Sequence, residues 1–222
     1  MTDHAHGGND HLSGGVEHML AFGDARSMAD WTVGGDDRIA LEHGDVYGDA
    51  LTLAGHAHGG NDSILASVDA WQSIYGDGAL SDDAVGGNDT IAGNSGTADR
   101  FFVGDGDLTG HARGGDDLLI NLRAGDAVLI GDGNRITGQA QAGNDTIHGG
   151  NASGICMIYG DAGLLGAGAH GGDDLLVSGQ GNDWMWATRR RWRQGPPPAT
   201  TSSCSSRAMV TTSSMISRRG GT

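Results

Sequence analysis

Gly86-Gly87-Asn88-Asp89-Thr90-Ile91 is the stretch whose reading decides the fold, because close copies of it recur along the chain. They read Gly7-Gly8-Asn9-Asp10, Gly34-Gly35-Asp36-Asp37, Gly59-Gly60-Asn61-Asp62, Gly114-Gly115-Asp116-Asp117, Ala142-Gly143-Asn144-Asp145 and Gly171-Gly172-Asp173-Asp174. The first residues of the seven units are 27, 25, 27, 28, 28 and 29 residues apart. A period in this range marks a stacked repeat, and an acid in every copy marks a cation-collecting one. Between the copies runs a second marker: Phe22-Gly23-Asp24, Tyr47-Gly48-Asp49, Tyr75-Gly76-Asp77, Val103-Gly104-Asp105, Ile130-Gly131-Asp132 and Tyr159-Gly160-Asp161. Each coil therefore reads as having two glycine-aspartate corners. At both, glycine permits φ > 0 and close approach of neighbouring coils.

The segments between corners have strand length and strand composition, as in Leu118-Leu119-Ile120, Arg100-Phe101-Phe102-Val103 and Ala127-Val128-Leu129-Ile130. Residues two apart share a face, so Ile91 points inward between Thr90 and Ala92. No window carries helical periodicity. The fold expected is all-β: a parallel β-roll or β-solenoid of about seven coils, roughly 27 residues per coil, whose core exists only through stacking.

Composition agrees. Glycine supplies 42 of 222 residues, against about 7% in average proteins. Lysine is absent; six of the 13 arginines and all 28 acids precede Ala187, so residues 1–186 carry a net charge of −22. That surface repels phosphates and anionic membranes and attracts cations, so the partners expected from charge are cations and no nucleic acid. No apolar run approaches the roughly 18 residues of a membrane span. Nothing after Met1 has a signal peptide's pattern. Cys156 and Cys204 fit neither a disulfide framework nor a zinc spacing. The sequence names no macromolecular partner.

The chain divides into a repeat array, 1–186, and a tail, 187–222. It begins inside the pattern and reads as a fragment of a longer array. From Ala187 the text turns Arg-, Pro-, Ser- and Thr-rich and has no acid. A basic arm for nucleic acid or membrane is one reading. Out-of-frame translation is the reading preferred here. Trp186-Ala187-Thr188 is what TGG GGC GAC becomes on losing one G, and the restored frame permits the expected Gly-Asp corner. The tail is then expected to be disordered.

One carboxylate cannot satisfy a calcium ion, which takes six to eight oxygens. Two stacked corners about 4.8 Å apart come closer, if a carboxylate from each brackets the ion and the Gly-Gly turn adds carbonyls. The first column of candidate ligands is Asp10, Asp37, Asp62, Asp89, Asp117, Asp145, Asp174 and Asp183; the second is Asp24, Asp49, Asp77, Asp105, Asp132 and Asp161. The competing reading is that these aspartates cap turns. For the first column it loses, because stacked like charges destabilise a fold without a cation between them. For the second it stays open. His6, His58 and His170 directly precede glycine pairs, but Val33, Val85, Arg113 and Gln141 interrupt the column, so they are expected to be exposed turn residues. Trp31, Asp69 and Trp71 break the repeat locally. No Gly-x-Ser-x-Gly or phosphate loop occurs, and the chain is not expected to be an enzyme.

Gly179-Gln180-Gly181-Asn182-Asp183-Trp184-Met185 fits best the nonapeptide Gly-Gly-x-Gly-x-Asp-x-U-x, where U is a large apolar residue. Through this stretch and its looser copies, residues 1–186 resemble the RTX, or hemolysin-type, calcium-binding repeat proteins. In most copies the second glycine is replaced, as by His58, and the coil exceeds two nonapeptides. The resemblance implies a parallel β-roll that folds on binding several Ca2+ ions. It also implies an extracellular protein, exported through an uncleaved C-terminal signal. The alternatives are a metal-independent structural or adhesive solenoid, and the repeat module of a secreted enzyme whose catalytic domain is absent.

Overall fold

The computed structural model describes residues 1–15, 18–66, 72–93, 100–122, 126–150, 155–179, 183–187 and the strand Met209–Thr211. It is a stack of short parallel strands with no helix among the described residues, and so none long and apolar enough to cross a membrane. The first sheet takes one strand per coil: His11–Gly14, Arg38–Leu41, Ser63–Ala66, Thr90–Gly93, Leu118–Asn121, Thr146–His148 and Leu175–Val177. The second takes Met19–Phe22, Gly44–Tyr47, Gln72–Tyr75, Arg100–Val103, Ala127–Ile130, Cys156–Tyr159 and Trp184–Trp186. Six turns separate the first of these strands from Leu175–Val177, so the β-solenoid expected from the repeat is present with a coil of about 27 residues.

Alternation sets what faces inward. In the first sheet Leu12, Ile39, Ile64, Ile91, Leu119, Ile147 and Leu176 are consecutive register partners. In the second, Ala21, Val46, Ile74, Phe102, Leu129, Ile158 and Met185 are. These two columns form one apolar core. Outside the second sheet, aromatic rings stack along the axis: Phe22 on Tyr47 at 5.4 Å, Tyr47 on Tyr75 at 4.8 Å and Tyr159 on Trp186 at 4.6 Å. Ile91 is fully buried and touches coils on both sides. Ile91→Ala is therefore expected to cost about 3 kcal/mol, read as a lowered denaturation midpoint; a loss under 1 kcal/mol would mean the coil collapses onto the cavity.

A third face goes beyond the two corners read from the sequence. Ser27–Met28, Thr52–Leu53, Ala79–Leu80, Gly133–Ile136 and Ala162–Leu165 form it. Met28, Leu53, Leu80, Leu108, Ile136 and Leu165 line up inward, opposite Ala57, Ala84, Ala112, Ala140 and Ala169, in a second, separate core. The turn that closes this face uses left-handed backbone, at Asp30 (φ 62°), Gly55 (69°), Asp82 (59°), Gly110 (71°) and Gly138 (76°). Aspartate tolerates that region far better than most residues, so the position is filled by either Asp or Gly and leaves no constant marker in the sequence. The glycine pairs, by contrast, do not use positive φ. A Cβ on Gly87 would lie 1.5 Å from the Gly60 carbonyl oxygen, and one on Gly115 1.5 Å from that of Gly87. Close stacking of backbone on backbone, not conformation, requires glycine there.

Met209–Thr211 pairs in parallel with Leu175–Val177 and extends the first sheet. Leu175–Val177 would otherwise present unpaired backbone groups on this side, and such an edge recruits β-formers such as Val210 and Thr211. The rest of the tail beyond Ala187, and Asp69, Trp71, Gly181 and Asn182, lie outside the described residues.

Candidate metal centre

The aspartate columns lie on the two chain segments that run between the two cores. Asp24, Asp49, Asp77, Asp105, Asp132 and Asp161 follow the second-sheet strands; Asp10, Asp37, Asp62, Asp89, Asp117, Asp145 and Asp174 precede the first-sheet strands. Hydrogen bonds pull the segments together within each coil. The amide of Gly35 donates to Asp24 at 2.9 Å, Gly60 to Asp49 at 3.0 Å, Gly87 to Asp77 at 3.0 Å, Gly115 to Asp105 at 3.0 Å and Gly143 to Asp132 at 2.6 Å. Gly172 donates to Asp161 in the same way. Each coil is thus pinched at a waist, and the carboxylates form a septum between the two apolar lobes.

The first column is tied along the axis instead. The backbone amide of Asp10 donates to Asp37 Oδ1 at 2.6 Å, Asp37 to Asp62 at 2.7 Å, Asp62 to Asp89 at 2.7 Å and Asp89 to Asp117 at 2.7 Å. Asp117 donates to Asp145 at 2.8 Å and Asp145 to Asp174 at 3.1 Å. Both columns therefore accept backbone amides: Asp49 and Asp77 offer both oxygens to one amide, whereas the first column uses one oxygen of each carboxylate. The second oxygen, Oδ2, of Asp37, Asp62, Asp89, Asp105, Asp117, Asp132, Asp145 and Asp174 is buried without a hydrogen-bond partner, as is Oδ1 of Asp24. A buried carboxylate oxygen left in this state carries its full desolvation cost.

The electrostatics follow from that burial. Desolvation, opposed by the Asp10 amide, raises the pKa of Asp37 to about 6. It raises Asp174 to about 7, Asp89 to about 8, Asp62 to about 10 and Asp49 to about 12. Asp77, Asp105, Asp117, Asp132 and Asp145 are pushed well above the ordinary carboxylate range, first by burial and then by one another's charge. Two states relieve such a septum: protonated carboxyls, or carboxylates with cations among them.

The donor set suits a hard cation. A Cβ on Gly76 would sit 1.9 Å from Asp89 Oδ2 and 2.0 Å from the carbonyl oxygen of Gly104, so a carboxylate and a carbonyl oxygen crowd the same small volume. The arrangement repeats at Gly48 with Asp62 and Gly76, at Gly104 with Asp117 and Gly131, and at Gly131 with Asp145 and Gly160. The carbonyls therefore come from the Gly-Asp corner. The Gly-Gly pairs, expected to aim carbonyls at the ion, aim amides at the second column instead, because the pinched waist brings Gly60 or Gly87 edge-on to Asp49 or Asp77. Among the described residues no three His, Cys, Asp or Glu side chains close around one point, so a cation here must draw on backbone oxygens.

Two expected ligands lack the buried, axially bonded carboxylate of the other first-column candidates. Asp183 precedes a second-sheet strand, in neither column, and accepts the Gly179 amide at 2.7 Å in a local turn. Asp10, in the first coil, is exposed. A third ladder was not read from the sequence. Asn9, Asp36, Asn61, Asn88, Asp116, Asn144 and Asp173 stack on the solvent side, each side-chain oxygen accepting the next residue's amide at 2.6–3.2 Å. No two of its acids are adjacent, which avoids like-charge stacking. The Asn/Asp variation before the invariant acid was the available signal. His6, His58 and His170 are exposed, as expected. Comparison with protein-family models, with curated proteins and with solved structures gave no match.

Proposed function

We propose that the solenoid is a calcium-binding module whose folding depends on the ion. The observation that carries this reading is the septum of buried aspartates with unpartnered second oxygens, repeated coil after coil beside glycine carbonyls. Asp37, Asp62, Asp89, Asp117, Asp145 and Asp174 would hold the ions, with carbonyl help from Gly48, Gly76, Gly104, Gly131 and Gly160. The facing column of Asp24, Asp49, Asp77, Asp105, Asp132 and Asp161 adds the charge that makes the site a strong field for a divalent cation. When bound, calcium supplies the positive charge that lets these carboxylates ionise inside the fold; binding free energy then becomes folding free energy. Magnesium is disfavoured, because it keeps its waters and demands a near-ideal octahedron. The resemblance to RTX repeats supports the same reading and adds secretion to it.

Far-ultraviolet circular dichroism of the chain at neutral pH tests the proposal. In chelator the β signal should be weak, and calcium, not magnesium, should restore it cooperatively at millimolar levels or below. A full β spectrum in chelator that calcium leaves unmoved would return the aspartates to turn capping on a metal-independent scaffold.

A further inference from the structure

The solvent side of the third corner carries a second set of ligand-type side chains. The residues three places before each glycine pair stack along the axis, among them Trp31, His56, Asp83 and His111. Their backbones are held in step. The amides of His56, Asp83 and His111 donate to the carbonyls of Asp30, Gly55 and Asp82, one coil back, at 2.7, 2.9 and 2.7 Å. The left-handed residue before each one throws the following side chain outward. Asp83 consequently stands between two imidazoles and offers a different oxygen to each. Oδ2 is 3.9 Å from His56 Nδ1, and Oδ1 is 3.8 Å from His111 Nδ1.

We propose that Asp83 bridges two ions of the zinc class, one in the gap to His56 and one in the gap to His111. The gaps are too long for an N–H···O bond, which spans about 2.7–3.2 Å. A metal–nitrogen and a metal–oxygen bond of about 2.0–2.2 Å meeting at a tetrahedral angle span about 3.3–3.5 Å, so each exposed side chain draws in by a few tenths of an ångström to take the ion. Calcium does not compete, because it takes oxygen ligands and leaves imidazole to transition metals. The Trp31 ring packs on His56 with centroids 4.0 Å apart and limits its rotation. Each ion has two protein ligands and completes its shell with water, so these sites exchange readily. They load a surface; they do not hold the fold. The side chains are 43% (His56), 57% (Asp83) and 63% (His111) exposed and touch neither aspartate column.

The test is equilibrium dialysis of the full chain against Zn2+, with Co2+ absorbance as a second readout, in saturating calcium at pH about 7.5. The wild type should take up one ion per gap. D83N should weaken uptake at both gaps at least tenfold, while H56Q and H111Q should each abolish one. The circular dichroism of every sample, and its calcium response, should stay that of the wild type, which separates this outcome from any failure of the calcium reading. D83N binding Zn2+ as the wild type does, or a wild type that takes up none, would overturn the assignment.

Discussion

Without calcium, the chain is expected to fold as the pH falls and to unfold as it rises, the reverse of ordinary acid denaturation. An aspartate titrates near 3.9 in an unfolded chain. In the folded septum Asp174 titrates at about 7, Asp89 at about 8 and Asp62 at about 10. Between the two values the folded state keeps protons that the unfolded state has released. Stability is then fully present below the unfolded value and is lost as pH rises through the folded ones. Each pKa unit is worth about 1.4 kcal/mol per group. With ten or so such groups in the septum, the loss exceeds the about 5–15 kcal/mol of a typical domain. Chelated protein should therefore be folded near pH 4 and unfolded near pH 8. Saturating calcium should invert the slope, because the bound native state holds its carboxylates deprotonated and protons now compete with the ion. Thermal unfolding followed by circular dichroism at about pH 4, 5, 6, 7 and 8, with and without calcium, reads both slopes. A melting temperature in chelator that is flat or rises with pH would mean that the aspartates are not buried together as described.

Gly87→Ala should abolish the fold even in saturating calcium. Its Cβ would lie 1.5 Å from a backbone oxygen of the neighbouring coil, and that oxygen belongs to another stacked glycine pair that has no room to retreat. Relief requires the coils to separate, which breaks the aspartate ladder and both cores at that level. The expected cost is on the order of 4 kcal/mol or more, the range kept for disruptions of this kind. Gly15→Ala is the control, since a Cβ there meets nothing within 4 Å. Comparable melting temperatures for the two variants would refute the claim that glycine serves backbone stacking.

How much of this was legible beforehand depends on whether a feature repeats with a constant residue. The period of Gly-Gly-Asn-Asp units marks out the coil, its length and the inward Ile-Leu column, because every turn must present the same residue type to the same neighbour. Both acid columns were legible for the same reason. The third face was not: Asp30, Gly55, Asp82 and Gly110 solve one backbone problem with two residue types. The reach of each carboxylate was not legible either. Sequence spacing shows that Asp49 and Asp62 recur together, but only the pinched waist shows that one binds an amide of its own coil and the other an amide of the coil before. Asp183 illustrates the converse, a residue in the best local motif that sits outside the ladder because its strand belongs to the second sheet. The repeat by itself determined the architecture and where charge accumulates. Only the tertiary structure decided that the charge lies inside, between two separate cores, because burial and partnership depend on segments 10 to 29 residues apart meeting in space.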